Sequence, residues 1–314
     1  MCGIAGYLSR STGSTSTDEP VGRILLDMLT GLARRGPDSA GLALFGPGRP
    51  DVHVAWIRLP MDAEPAAAEL MVRQRLDGLA EIGHVERHAG LVRMELRLQA
   101  SALEVTRALE RPGEDYELVS LGRHLELVKQ VGAPGDLERS FRVASFRGSH
   151  GIGHTRLSTE SRVDLSHSQP FWAHGVADLA TVHNGHITNY HRMRRIYEQR
   201  GVRFFSENDS EIIGVYLADQ LDQGLTLDEA VQSSLDDLDG AFTYLVATPD
   251  AIGYARDPFA FKPLVVVETP DYIAIANEEI AIRHALGAAG VGYEPTGHVY
   301  RIWRHSPVAV GVAA

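Results

Sequence analysis

MCGIAGYLS (residues 1–9) opens the chain, and its second residue, Cys2, is the only cysteine in 314 residues. A core cysteine can sit anywhere in a fold, and one can fall second by chance. Position 2 is nevertheless special, because removal of Met1 makes Cys2 the N-terminal residue, with a nucleophile and a free amine on one residue. The cysteine side chain is small enough for a methionine aminopeptidase to expose it. An α-amino group titrates near pH 8, so part of it is neutral around pH 7. It can then act as general base for its own thiol, with no neighbouring histidine required. GIAGYL, which follows, is a short apolar run of the kind that makes a buried strand.

Composition narrows what such a nucleophile could serve. A hydrophobic share of 44% with 23% charged residues is that of an ordinary soluble globular protein. The net charge of −11 argues against nucleic acid and against an anionic membrane surface, both of which call for a basic face. No run approaches the roughly 18 apolar residues of a membrane span. The N-terminus has no basic segment followed by an apolar one, so no signal peptide is expected. A single cysteine excludes an intramolecular disulfide framework and a multi-cysteine zinc site. The expectation is a cytoplasmic protein of mixed α and β structure.

Further apolar runs predict strands at AGLALFG, GIGHTRLS, LATVHNG, AFTYLVAT, IGYARD, PLVVVE and YIAIAN. Apolar residues at three- and four-residue spacing predict helices at VGRILLDMLTGLARRG, NYHRMRRIYEQRG and NDSEIIGVYLADQL, with Asn208 or Asp209 capping the last. Many strands and few helices in mixed order suggest packed layers rather than βαβ alternation. Residues 48–148 read as a small α/β insertion. Within it DAEPAAAELMVRQRLDGLA is a helix candidate, AGLVRMELRLQA a strand and SALEVTRALERPG a capped helix. YELVSLGRHLELVKQVG reads as a strand followed by a helix. GSTSTDEP at 13–20 is a polar loop.

Four stretches carry chemistry. ARRGPDSAG (33–41) holds Arg35, Gly36, Asp38 and Ser39, although a helix end and a Pro-Asp turn would explain it too. GIGHTRLSTES (151–161) places His154, Thr155, Arg156, Ser158 and Thr159 at the end of an apolar strand, where polar groups need partners. An arginine there suits bidentate capture of a carboxylate, or a structural ion pair. In ATVHNGHITNY (180–190), Asn184-Gly185 is the commonest two-residue hairpin signal. It also suits an oxyanion hole made of a side-chain amide and a glycine N–H. In SENDSE (206–211), Asp209 offers an anion to a substrate ammonium, or a helix cap. His183 and His186 find no third ligand at metal-site spacing, so no metal and no cofactor are expected.

Taken in order, CGIAGY, RRGPDSAG, GIGHTRLST, HSQPF, VHNGHITN, NDSE, GAFTYLV, RDPFAFKPL and EPTGHVYRI make the chain resemble the class II glutamine amidotransferases, which are N-terminal-nucleophile hydrolases. The match covers about 2–46 and 149–303, and nine motifs in sequence are specific where each alone is weak. The resemblance implies an α+β fold, a four-layer αββα sandwich with two central antiparallel sheets. It makes residues 1–314 a single amidotransferase domain, interrupted by the insertion at 48–148. Cys2 would attack the side-chain amide of L-glutamine and form a γ-glutamyl thioester, its own amine relaying the proton. Asn184 and Gly185 would stabilise the oxyanion. Arg156 and Thr159 would hold the α-carboxylate and Asp209 the α-ammonium, with His183 among the substrate-binding residues. Arg35, Asp38 and His154 would support the site.

Ala260 stands where the family usually carries glycine, and Leu157 where several members have an aromatic residue. The length of the insertion looks like that of glutamate synthases, while the chain has no room for a synthase domain. It therefore resembles the separate amidotransferase subunit of split, glutamate-synthase-like systems such as N-methylglutamate synthase. A synthase subunit receiving ammonia is the expected partner, in a hetero-oligomer, with the insertion as its dock. Two rival readings are a hydrolase of another γ-glutamyl amide and a non-catalytic glutamine sensor. An intact Cys2, Asn184 and Gly185 counts against the sensor.

Overall fold

The first strand, β1 (Gly3–Ser9), is buried at every position, as an apolar run without alternation requires. One face meets a helix layer and the other a second sheet. The computed structural model describes residues 2–10, 19–60, 62, 64–88, 90–111, 116–158, 163–287 and 290–305. The polar loop expected at 13–20 lies mostly outside them.

In chain order the elements after β1 are α1 (Val21–Gly31), β2 (Ser39–Phe45), β3 (His53–Arg58), α2 (Pro65–Leu76), β4 (Ala80–His88), β5 (Leu91–Leu98) and α3 (Ala102–Leu109). Then come β6 (Glu117–Gly122), β7 (Leu125–Val131), α4 (Pro134–Phe141), β8 (His150–Arg156), β9 (Phe171–Trp172), β10 (Ala180–Ile187), α5 (Tyr190–Gln199), α6 (Glu211–Asp222) and α7 (Leu227–Asp237). The chain ends with β11 (Gly240–Thr248), β12 (Ala251–Arg256), β13 (Val265–Glu268), β14 (Tyr272–Ala276), α8 (Glu279–Leu286) and β15 (Val299–Arg304).

The strands form one sheet in the order β13-β14-β1-β8-β2-β7 and a second in the order β15-β12-β11-β10-β9. Every pairing within them is antiparallel. Helices α1 and α8 lie on the first sheet, and α6 and α7 on the second. The stripe Val21, Ile24, Leu25, Met28 and Leu29 explains why α1 lies flat: it repeats at helical spacing and is wholly buried. Helix α7 starts where Thr226 and Glu229 satisfy each other's backbone N–H groups. The result is the helix-sheet-sheet-helix sandwich expected from the sequence.

A third sheet, β4-β5-β3-β6, is built wholly from residues inside 48–148, together with α2 and α3. Ser101 and Glu104 make the expected cap of α3. Two readings of this stretch are corrected. YELVSLGRHLELVKQVG is two strands, β6 and β7, with no helix. Strand β7 pairs with β2 and so extends the first core sheet, while α4 packs beside α1.

The turn after β12 is kept despite Ala260, which adopts φ 53°. Asp257 accepts the N–H groups of Phe259 and Ala260 at 2.7 and 3.2 Å, and Arg256 donates to the carbonyls of Ala260 and Lys262, both at 2.9 Å. The alanine Cβ costs about 1–2 kcal/mol in this left-handed region, while glycine gives back part of that as unfolded-chain entropy. Ala260→Gly is therefore expected to stabilise the chain by about 1 kcal/mol. A urea midpoint that falls in the variant would refute this.

Candidate active site

Cys2 sits at the entry of β1, half-buried, at the floor of a cavity of about 830 Å³. Two of the sequence motifs grip its carbonyl oxygen. Arg35 Nε donates to it at 3.1 Å, and so does the Asn184 side-chain amide, also at 3.1 Å. The Cys2 backbone is thus fixed from two sides, and its sulfur lies 3.7 Å from the Leu157 carbonyl. Arg35 is itself paired with Glu278, at the start of α8. Asp38 works one step further out. Its N–H bonds the Arg156 carbonyl at 3.0 Å, and its carboxylate accepts the Ser158 N–H at 2.7 Å. RRGPDSAG therefore fixes both Cys2 and the end of β8. Gly36 has no alternative here, because a Cβ would lie 2.4 Å from the Thr155 carbonyl carbon.

Arg156, at the end of β8, is 4% exposed and lines the same cavity as Cys2. Across it lie Asn184 and Gly185, both inside β10 and paired with Thr243 and Phe242 of β11. The hairpin reading of Asn-Gly is thereby overturned: no turn occurs there. Gly185 is needed for a different reason. Its φ is 146°, and a Cβ would come 2.2 Å from the Ala241 carbonyl oxygen.

Asp209 lines the cavity too. Its carboxylate does not cap α6 but accepts the Ile187 N–H at 2.7 Å, with His186 Nδ1 at 3.3 Å and His183 Nδ1 at 4.0 Å. Asn208 instead holds the approach to the helix by accepting the Ser210 N–H at 3.0 Å. An anion so placed can meet an ammonium, as Arg156 can meet a carboxylate. The cavity thus carries a cation, Arg156, and an anion, Asp209, together with a half-buried thiol.

His183 is 2% exposed and bonds Ser210 Oγ through Nδ1 at 2.8 Å. Burial drives its pKa below the usual value, and Lys262 and His186 push the same way against Asp209. His154 is wholly buried on β8 and does not line the cavity. Burial, then His183 and Arg156, lower its pKa to about 3, so its ring is neutral. Thr159 lies outside the described residues. Cys2, Arg156, His183, Asn184, Gly185 and Asp209 thus converge on one space, with Arg35, Asp38 and His154 outside its lining.

Several residues of this neighbourhood carried no role in the sequence reading. Gln169 accepts the His183 N–H at 2.6 Å and donates to the His183 carbonyl at 3.1 Å and to Ser210 Oγ at 2.9 Å. Its motif, HSQPF, was visible, but its work was not. Asn277 takes the Ile4 N–H and donates to the Pro263 carbonyl at 2.7 Å, tying β1 to the loop before β13. Nothing near it in sequence signals that. Tyr190, Arg194 and Phe204 form the outer wall, with the Arg194 guanidinium 4.9 Å over the Phe204 ring.

Comparison with known proteins places this geometry in context. Residues 154–284 match a family described as a glutamine amidotransferase domain. A protein of Methanothermobacter thermautotrophicus, provisionally named a glutamine amidotransferase, is 34% identical over 95% of this chain and 98% of its own length. The glutamine amidotransferase-like protein GlxB of Rhizobium meliloti is 35% identical over 99% of this chain and 97% of its own. Among solved structures, an allosteric regulatory enzyme of purine biosynthesis superposes with a TM-score of 0.62 at 18% identity. That superposition covers 96% of this chain but 46% of the other, so it speaks for the fold alone.

Proposed function

The chain belongs to the class II glutamine amidotransferases, and from that premise we propose that it is the cytoplasmic glutaminase subunit of a split, glutamate-synthase-like system. The observation that carries the reading is the convergence of Cys2, Arg156, Asn184, Gly185 and Asp209 on one cavity. Glutamine spans it with its α-carboxylate on Arg156 and its α-ammonium on Asp209, which brings the side-chain amide to the thiol. With Met1 removed, the α-amine of Cys2 takes the thiol proton as sulfur attacks the amide carbon. The oxyanion that forms is met by the Asn184 amide and the Gly185 N–H. The amine returns the proton to the leaving nitrogen, the C–N bond breaks, and ammonia departs from a γ-glutamyl thioester. Water then adds to the thioester, glutamate leaves, and the thiol is restored.

A synthase subunit that captures the ammonia completes the proposal, since ammonia released to solvent is lost to any amination. Within residues 48–148, the sheet outside the sandwich, β3 to β6 with α2 and α3, is proposed as its dock. The direct test is hydrolysis of glutamine by the purified chain, with glutamate and ammonia counted separately and intact mass reporting Met1. Equimolar products from the Met1-free chain are expected; a Met1-free chain that stays silent even with added synthase partner defeats the reading.

One observation favours a second reading. A cavity of about 830 Å³ is in the range that holds drug-sized ligands, well above what glutamine fills. Hydrolysis of γ-glutamyl amides with a substituted nitrogen would use the same two charges. Comparing kcat/KM for glutamine with that for a panel of such amides separates the two, and preference for glutamine disposes of the second.

A further inference from the structure

The cavity wall that carries Asp209 is held from the inserted sheet. Phe205 lines the cavity. The His174 ring stacks on it, with centroids 4.8 Å apart and planes 16° apart, and the Arg203 guanidinium lies 4.5 Å from its centroid. Both stacking groups are tethered to the end of α3. His174 Nδ1 is 3.2 Å from the Glu110 carboxylate, and Arg203 donates to the Arg111 carbonyl at 3.0 Å. Glu110 is fixed in turn by the Leu118 N–H of β6 at 2.9 Å. On the other side of Phe205, the Glu211 carboxylate accepts the N–H groups of Phe205 and Ser206, both at 2.9 Å, and the Ser206 hydroxyl at 2.7 Å. Ser206 Oγ then accepts the Asn208 N–H at 3.2 Å, next to Asp209.

We propose that His174, held by Glu110 of the insertion, is a positioning residue for the ammonium end of the substrate: its ring sets Phe205, and Phe205 with Glu211 sets Asp209. The insertion is then part of the substrate site, and whatever binds it can alter glutamine affinity without touching Cys2. The claim rests on the glutaminase reading. Three carboxylates act on the ring, Glu110 after α3, Glu211 on α6 and Glu117 on β6, while the cations of the same cluster are Arg203, stacked on Phe205, and Lys129, 3.6 Å from Glu117. Burial alone would make His174 neutral, but Glu110 first, then Glu211 and Glu117, outweigh it and raise its pKa above the usual value. The ion pair is therefore complete below that raised pKa and is lost as pH climbs through it.

The test is the KM and kcat for glutamine of the wild-type chain, His174→Gln and Glu110→Gln, from about pH 6 to 9. KM should rise about tenfold in both variants with kcat within about twofold, and Glu110→Asp should recover most of the loss. Wild-type KM should climb with pH, while in Glu110→Gln, which has no ion pair to lose, KM should already be high and vary little with pH. A fall in kcat at constant KM, or the same climb in Glu110→Gln as in wild type, overturns the proposal. If His174→Gln does not fold, the Glu110 variants and their pH dependence decide alone. A Met1-free wild-type chain without glutamine turnover even with added synthase partner sinks the glutaminase reading. In that case alkylation of Cys2 by a glutamine-shaped diazoketone, relative to iodoacetamide, takes over as the readout. Loss of the diazoketone preference in His174→Gln supports positioning, and a wild type with no preference overturns both ideas.

Discussion

Cys2→Ala should abolish glutamine hydrolysis, lowering kcat by at least about 10⁴-fold, because the thioester cannot form without the sulfur. The fold should not notice. Cys2 precedes β1, and its contribution to packing is a weak contact with the Leu157 carbonyl at 3.7 Å. What anchors the segment is its own carbonyl oxygen, held by Arg35 and Asn184, and an alanine keeps that oxygen. Thermal unfolding should therefore shift by less than about 1 kcal/mol equivalent. A chain that retains Met1 makes the complementary case. Its thiol is present but its α-nitrogen is an amide, so the base is missing and turnover should be as low as in the alanine variant. Activity surviving in the alanine variant would mean that another group attacks the amide; activity surviving with Met1 retained would mean that another base serves the thiol, and the N-terminal position of Cys2 would lose its meaning.

How much of this was legible in the sequence depended on distance along the chain. The core strands were visible because strands buried on both faces read as unbroken apolar runs, and β1, β2 and β8 are buried throughout. The stretch that forms β6 and β7 was misread for the opposite reason. Leu125 and Val128 sit at helical spacing, and Lys129 looks like a solvated residue of a helix face. In the folded chain Lys129 is 3% exposed, 3.6 Å from Glu117, and donates to the Ser168 carbonyl at 3.2 Å. Its partners lie 12 and 39 residues away, where no local pattern can show them. Asn184-Gly185 failed similarly as a turn, because the glycine's purpose is the close pass of the Ala241 carbonyl on the neighbouring strand. Arg156 was found because an arginine is unusual at the end of an apolar strand, and Asp209 because SENDSE offers an anion just before a helix. Gln169, Asn277 and His174 were missed because they act on backbone and rings supplied by distant segments.

Asn184→Ala is the variant that separates positioning of the nucleophile from stabilisation of the oxyanion. The carboxamide has two N–H bonds. One is committed to the Cys2 carbonyl at 3.1 Å, which leaves the second for the cavity. Removing the group should lower kcat about 10²–10³-fold, as loss of one oxyanion donor does elsewhere, with glutamine KM nearly unchanged, since Arg156 and Asp209 are untouched. The Cys2 carbonyl keeps its bond from Arg35, so the start of β1 should stay in place and the unfolding midpoint should move little. Gly185→Ala must behave differently. The added Cβ meets the Ala241 carbonyl at 2.2 Å and a backbone with φ 146° that alanine resists, so stability and activity should fall together. Asn184→Asp sharpens the comparison, because it keeps the shape but turns a donor into an anion facing both the Cys2 carbonyl and the developing negative charge. Its kcat should lie at or below that of the alanine variant. An aspartate variant with near-wild-type kcat would show that the oxyanion forms elsewhere, and Asn184 would then be left with its hold on Cys2 alone.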